Sequence, residues 1–357
     1  MEWVRGDTVG HGSFGTVNLA IPRRSSGHIP PLMAVKSTSV SNSASLENER
    51  EVLSKLADCP HVIRCFGGDY SSENSRELYN LFLEYASGGS LSDQLKKSGG
   101  RLPESDVRRH TRSVLKGLQY IHGNGFVHCD IKLQNILLCS DGGNDFAKIA
   151  DFGLAKKANS KEGGGFGLRG TPLYMSPESV NGGENESPAD IWALGCVVVE
   201  MVSGKPAWRC RPESDVSALL FRIGVGEELP EIPVELSEEG KDFLGKCFVK
   251  DPKQRWTAEM LLDHPFVVVD DDDDDDTVPL KRGYNKASTS PRCPFDFPEG
   301  PISPSPESDT WLDAELNSCF VSSSSSDCHS SAADRIRQLA TDQRPDWSVS
   351  DSWVTVR

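Results

Sequence analysis

The chain predicts an α+β molecule of two lobes, strand-rich then helix-rich, followed by a disordered acidic tail. Three observations carry this. Short strand-like runs crowd roughly the first 80 residues, helical apolar periods take over from about residue 90, and composition changes abruptly past Phe266.

Taken in order, residues 3–19 have a strand, Gly-rich turn, strand pattern, and residues 32–37 form a short apolar strand. Residues 46–56 carry apolar side chains at 46, 52, 53 and 56 among strong helix formers, which predicts a helix. Residues 62–67 and 78–85 read as further strands, and the Gly-containing stretch 86–89 joins the lobes. Residues 106–122 place apolar residues at 107, 114, 115, 118 and 121, the stripe of an amphipathic helix. Ser187-Pro188-Ala189-Asp190 opens an apolar helix running to about Val202, and Gly204 stands just past its end. Beyond Phe266 come the acidic run Asp270 to Asp276, then Pro, Ser and Gly, and a serine run at 322–326. Such a segment buries too little apolar surface to offset its ordering entropy, so disorder is expected, with one short candidate helix at 332–339.

Composition narrows the function. Hydrophobic residues make up 37% of 357, low for a wholly globular chain. Residues 268–357 hold 18 acidic and 8 basic side chains, so −10 of the net −15 lies in the tail. No Lys/Arg cluster forms a nucleic-acid footprint. No apolar run approaches 18 residues and the N-terminus lacks a signal peptide pattern, so no membrane association is expected. The setting expected is cytoplasmic, with the nucleus also open. Ten scattered cysteines without a C-x-x-C pair argue against a disulfide framework or a zinc site.

The chemistry concentrates in a few motifs. Gly10-His11-Gly12-Ser13-Phe14-Gly15-Thr16-Val17 matches G-x-G-x-x-G-x-V, whose bare glycines let backbone close over phosphates. Alone it also suits a dinucleotide-binding turn or an ordinary hairpin, but a strand follows it, and Ala34-Val35-Lys36 comes about twenty residues later. Lys36 suits the α- and β-phosphates, and an acid on the next helix would orient it. Of Glu47, Glu49 and Glu51, Glu49 is preferred, because Leu53 one turn on and Leu56 share its inward face. His128-Cys129-Asp130-Ile131-Lys132-Leu133-Gln134-Asn135 sets an Asp and an Asn five apart, which suits a base for a hydroxyl proton and a metal ligand. Asp151-Phe152-Gly153, the stretch 170–178 ending Ser176-Pro177-Glu178, Asp190-Ile191-Trp192-Ala193-Leu194-Gly195, and Asp251-Pro252-Lys253-Gln254-Arg255 follow in order.

Together these motifs resemble those of eukaryotic protein kinases over residues 3–267. The resemblance implies a bilobal kinase fold, with an N-lobe at about 3–85, a C-lobe at about 90–267 and a tail at 268–357. It implies ATP and Mg2+ as cofactors. By that resemblance Asp130 is the catalytic base, Lys132 steadies the γ-phosphoryl charge, and Asn135 and Asp151 bind magnesium. Lys36 and Glu49 form the activating ion pair. Gly10, Gly12 and Gly15 belong to the phosphate loop. Val9, Val17, Ala34 and Leu137 sandwich adenine, and Glu84 to Ala86 supply hinge backbone bonds. Glu178 is expected to pair with Arg255 in a structural role. Lys132 with Thr171 points to a Ser/Thr kinase.

The closer resemblance is to the small MEKK-like members of the plant mitogen-activated protein kinase kinase kinases. It rests on Trp3-Val4-Arg5-Gly6, the stretch 170–178 and Val127-His128-Cys129-Asp130-Ile131-Lys132, although Ser176 and Ser179 stand where the wider class has Ala and Val. The partner this implies is a MAP kinase kinase, phosphorylated on its activation loop in stress or hormone signalling. The alternatives are a pseudokinase scaffold and an active Ser/Thr kinase outside that cascade. Intact Lys36, Asp130, Asn135 and Asp151 oppose the scaffold.

Cys129 departs from the family pattern, which has an Arg there to pair with a phosphate on the activation segment. Such a charge-assisted bond contributes about 1.5–3 kcal/mol, and a thiol cannot make it. Lys156 is expected to contact a phosphate in its stead. Besides the substrate-facing Thr171 and Ser176, the segment offers only Ser160 and Tyr174 as hydroxyls, and Gly163-Gly164-Gly165 resists ordering. Control by abundance or partners is therefore expected over control by phosphorylation, with Cys129, Ser160 and Thr171 the residues on which regulation would turn. A small buried residue without regulatory effect is the competing reading of Cys129. In the tail, Ser290, Ser303 and Ser305 each precede Pro, and Trp347 and Trp353 mark a candidate docking segment for a protein partner or for the kinase's own surface.

Overall fold

A computed structural model describes residues 2–12, 15–23, 29–73, 75–141, 144–160, 168–183, 185–209 and 216–268. The tail, with its acidic run, Ser-Pro pairs, candidate helix and two tryptophans, lies outside them, as do Ser13, Phe14 and Gly163 to Gly165.

A five-stranded antiparallel sheet begins the chain: β1 (Trp3–Gly12), β2 (Gly15–Pro22), β3 (Met33–Ser39), β4 (Cys65–Glu73) and β5 (Arg76–Glu84), in the order β1-β2-β3-β5-β4. Alternation across β3 separates two apolar faces. Met33 and Val35 pack with Ala20 and Phe82, and Trp3 lies edge-on to Phe82 at 5.1 Å. Ala34 faces the other way, towards the main core. Lys36, in register with Val17 and Leu81, shares the Ala34 face by the same alternation.

Helix α1 (Ala44–Lys55) lies between β3 and β4 in sequence, and its buried residues Leu46, Glu49, Val52 and Leu53 define one face. The strand expected at 62–67 is displaced. Val62 makes only an isolated bridge to Ile149, Ile63 donates its N–H to the Ile149 carbonyl, and β4 begins at Cys65. As an edge strand, β4 is half-exposed and polar (Gly67, Gly68, Asp69, Ser71, Ser72, Glu73), so no apolar alternation announced it; pairing with β5 fixes it.

The connector after β5 is tied down by the Gly88 N–H donating to Leu138 O (3.1 Å) and the Leu138 N–H to Gly89 O (2.8 Å). A Cβ on Gly88 would stand 2.7 Å from Leu138 Cβ, so this close approach requires glycine. Helix α2 (Leu91–Lys97) starts with a reciprocal cap between Ser90 and Asp93. Helix α3 (Glu104–Gly123) follows Pro103 and buries Val107, Val114, Leu115, Leu118 and Ile121. Strand β6 (Phe126–Val127) leads into the octet 128–135, then β7 (Ile136–Asp141) and β8 (Asn144–Ile149) form a hairpin, and β9 (Lys156–Lys157) pairs back with β6.

The helical lobe continues with α4 (Pro177–Gly182), α5 (Ser187–Ser203), α6 (Val216–Gly224), α7 (Glu238–Cys247) and α8 (Ala258–Leu262). Helix α5 is apolar all round and almost wholly buried, which makes it the axis of this lobe. Gly204 ends it at φ +70, where a Cβ would meet Gly100 O at 2.0 Å. Among the described residues no helix is long and apolar enough to cross a membrane.

The expected Glu178–Arg255 pair is present and two-pronged, at 2.6 and 3.0 Å. Arg255 is buried, lies over the Trp192 ring, and donates further to Pro188 O and Val249 O. Removing one partner of such a pair strands the other charge. Glu178→Ala should destabilise the fold by about 3–5 kcal/mol, seen as a lowered thermal midpoint. An unchanged midpoint would mean the pair contributes nothing net.

Candidate functional site

The octet 128–135 is shaped by a carboxylate from α5. Asp190, 1% exposed, accepts the backbone N–H groups of His128 and Cys129, each at 2.9 Å, and bonds the His122 ring at 2.9 Å. These bonds hold Cys129 at φ +68, a conformation that costs a non-glycine residue free energy unless its surroundings enforce it. His128 Nδ1 accepts the Asp130 N–H (3.2 Å), so its Nε2 carries the proton and donates to Ala150 O (3.1 Å).

Asp130 is thereby presented with both oxygens engaged. Oδ1 accepts the Thr171 hydroxyl at 2.7 Å, and Oδ2 meets Lys132 Nζ at 2.8 Å and Asn135 Nδ2 at 3.1 Å. Lys132 also donates to Thr171 Oγ1 at 2.9 Å. Gly170 at φ +105 lets the incoming chain touch the octet, since a Cβ there would lie 2.4 Å from Cys129 O.

A second cluster joins the lobes. Lys36 Nζ lies 2.8 Å from Glu49 Oε2 and 2.9 Å from Asp151 Oδ1. Burial opposes the charge on Lys36, but Glu49 and then Asp151 outweigh it, holding the ammonium well above the usual lysine range. Burial likewise pushes Asp151 up, and the Lys36 charge overrides it, leaving the carboxyl below its ordinary value. The Phe152 N–H donates to Glu49 Oε1 at 3.1 Å, and the Phe152 ring packs edge-on to His128 at 4.8 Å. Of the competing acids, Glu47 accepts from Ser43 Oγ and Glu51 pairs with Lys55, both at the surface. Asn48, which sequence reasoning passed over, donates to the carbonyls of Ala155 and Phe152.

Between these clusters lies a cleft. Val9, Gly10, Gly12, Val17 and Ala34 line one side, Leu137, Asn135 and Asp151 the other, and Glu84 and Ala86 the back, with Lys36 and Glu49 inside. Leu83, Ile63 and Ala150 add apolar lining that no motif flagged. Gly15 does not line the cleft. It sits at the β1–β2 turn at φ +148, where a Cβ would meet Ser37 O at 2.2 Å. An apolar slot above a cation and oxygen donors suits a planar base with attached phosphates. The Asp151 carboxylate and the Asn135 amide oxygen are hard donors, fitting Mg2+ completed by phosphate oxygens.

The Glu84 carboxylate is spent on Lys148 (2.7 and 2.8 Å) and the Arg64 N–H (3.1 Å), and its own N–H donates to Arg64 O (2.8 Å), which leaves the carbonyl for the backbone role expected of it. Two sequence expectations need correction. Lys156 is not poised for a phosphate, because it pairs with Glu186 at 2.7 Å. Ser176 does not face a substrate: it is 1% exposed and caps α4, bonding the Ser179 hydroxyl at 2.8 Å. Cys129 is half-buried, and burial, reinforced by Asp190, drives its thiol far above the usual cysteine range, which disfavours the thiolate. Ser160 is partly exposed, with its hydroxyl donating to Lys157 O.

Comparison with known proteins agrees with this arrangement. The protein kinase domain family matches residues 3–267. Over the whole of both chains, the sequence is 53% identical to mitogen-activated protein kinase kinase kinase 20 of Arabidopsis thaliana. It is 42% identical to kinase kinase kinase 17 of that plant, over 78% of this chain and 73% of the relative, and 43% identical to kinase kinase kinase 18, over 75% and 78%.

The Asp190 anchor has a pH signature. Burial raises its carboxyl, but the bonds from His122 and His128 prevail and hold it below the ordinary range. A depressed folded value contributes stability that is present above the unfolded value near 4 and lost as pH falls through the folded one. The wild-type thermal midpoint should therefore fall more steeply on acidification below about pH 5 than that of Asp190→Asn, and parallel curves would remove Asp190 from the acid response.

Proposed function

This chain belongs to the protein kinase family and is a Ser/Thr MAP kinase kinase kinase, and we propose that its cleft passes the γ-phosphoryl group of ATP to a hydroxyl held at Asp130. The observation that carries this reading is the placement of Asn135 and the Lys36–Glu49–Asp151 cluster in one cleft, with Asn135 bonded to Asp130 and Asp130 to Lys132.

Asp130 Oδ1 and Oδ2 are fixed by Thr171, Lys132 and Asn135, so the carboxylate meets an incoming hydroxyl without reorganising and takes its proton as the bond to phosphorus forms. Lys132 Nζ, beside Asp130, faces the oxygens of the group in transit and offsets their charge. Lys36, fixed by Glu49, holds the α- and β-phosphates, while Val9, Val17, Ala34 and Leu137 clasp the base and exclude water. The Glu84 carbonyl and Ala86 backbone lie where the edge of the base would be read. Asn135 and Asp151 would hold the divalent metal, which supplies charge neutralisation for the β- and γ-phosphates. Transfer needs little covalent participation from the protein; positioning supplies most of the rate.

The substrate we propose is a Ser or Thr in the activation loop of a MAP kinase kinase, as the names of the relatives suggest, in stress or hormone signalling. We place the protein in the cytoplasm with access to the nucleus, and assign the segment around Trp347 and Trp353 near the C-terminus to partner docking. A scaffold without catalysis would have no need for a buried lysine held between two carboxylates.

Recombinant full-length chain with Mg-ATP should phosphorylate a kinase-dead MAP kinase kinase. Asp130→Asn should lower kcat by about 10²–10⁴ with ATP still bound, as judged by nucleotide titration. ATP binding without transfer by the wild type would move the weight to the scaffold reading. Transfer to generic basic proteins alone would place the kinase outside the cascade.

A further inference from the structure

Besides the pairing of β9 with β6, the chain that follows Phe152 is fastened to the helical lobe by a carboxylate that no motif includes. Glu186, in the turn preceding α5, accepts from Lys156 Nζ at 2.7 Å and from the backbone N–H of Asn159 at 3.2 and 3.1 Å. Two donors from different residues of one short segment thus converge on it. Asn159 takes φ +57, a left-handed turn that this bond stabilises, and the Ser160 N–H closes the turn on Lys157 O. Lys156 stands in β9 opposite Val127, immediately before His128 and Cys129. Glu186 is therefore linked through a single side chain to the strand that delivers the catalytic octet.

The charges around Cys129 fit the same picture. Lys156, Arg169, Glu186 and Asp190 all act on that thiol electrostatically. Arg169 Nη1 donates to Leu154 O at 3.0 Å, so it too braces the segment. Two cations brought by the segment thus face a site where residue 129 adds no positive charge, and the anion among them that bonds the segment is Glu186. An additional phosphate would share this site with a carboxylate that already holds Lys156.

We propose that Glu186 is a positioning residue for phosphoryl transfer: a permanent carboxylate that orders residues 151–160, so that the protein is active with no phosphate on that segment. This rests on the kinase reading above. Glu49 and Asn48 hold residues 152–155 and the β6 pairing holds 156–157, while the Glu186 carboxylate secures Lys156 and Asn159 at the far end of the path that begins at Asp151. Cys129 is then tolerated because an Arg there would have no phosphate to bind.

The test uses the full chain, stripped of phosphate by a protein phosphatase, verified by mass spectrometry and assayed on a kinase-dead MAP kinase kinase. Stripped wild type should keep the rate of untreated protein, as should Ser160→Ala. Glu186→Ala should lose about 10- to 100-fold in kcat with little change in KM for ATP, as expected for misplacement at a distance from the chemistry. Glu186→Asp should recover part of the loss. The exchanged pair Lys156→Glu with Glu186→Lys should outperform either single change. Amide hydrogen exchange in residues 155–160 should rise in Glu186→Ala while α5 stays protected, which separates local release from misfolding. Wild-type rates in Glu186→Ala, or loss of activity on dephosphorylation, would overturn the proposal. Wild type silent before and after treatment would instead sink the kinase reading, and the exchange measurement alone would then decide the tether.

Discussion

Burying the Asp190 carboxylate in α5 is the constraint from which the rest of the site follows. An ionised carboxylate in an apolar helix is unfavourable unless every lone pair finds a donor. Here the donors are the backbone of the octet and the His122 ring of α3. The electrostatic demand of one helix therefore dictates the path of a loop that has little regular structure of its own. Cys129 accepts a left-handed conformation, His128 is turned to face Phe152, and Asp130 emerges with its oxygens directed at Lys132, Asn135 and Thr171. Helix α5 can impose this because it is packed on all sides and is itself locked by Arg255 bonding Glu178 and Pro188 O.

The second half of the site is made by contact between lobes. Glu49 belongs to α1 of the strand-rich lobe, yet it accepts the Phe152 N–H from the helical one, and Asn48 beside it bonds the carbonyls of Phe152 and Ala155. Lys36 is consequently held by one carboxylate from each lobe. Rotating α1 away would break the Glu49 and Asn48 bonds together and leave a buried ammonium short of a counter-charge. The geometry is thus of the all-or-none kind, with α1 and the Asp151–Ala155 stretch moving as partners.

Legibility in the sequence followed a physical line. Asp130, Lys132 and Asn135 were readable because they fall within one octet, and Lys36 and Asp151 because each sits in a short motif that resembles those of protein kinases. Glu49 was readable because a helix period put it on the face of Leu53. The anchoring role of Asp190, the Lys148–Glu84 pair and the Glu186 tether were not, since each joins residues 30 to 70 positions apart. Lys156 was read as available because its partner is remote in sequence, and Ser176 as exposed because a helix cap and an accessible hydroxyl look alike in one dimension. Strand β4, expected at 62–67 and found at Cys65–Glu73, was displaced for a related reason. Half-exposed edges carry no apolar alternation, so only their pairing partner defines them.

That polar edge also bears on how the molecule behaves in crowded solution. An outermost strand leaves a row of amide donors and acceptors unmatched, and another chain can add to it as a further strand, the first step towards fibrils or strand-exchanged dimers. β4 presents two glycines, Asp69, two serines and Glu73 there, with a register irregularity between Cys65 and Gly67 that interrupts a continuous template. A visiting strand would find Tyr70 as the exposed large apolar side chain of β4, with Asp69 beside it, while Glu73 is already paired with Arg5. The feature that blurred the bounds of β4 in the sequence thus makes this border of the sheet a poor nucleus for self-association.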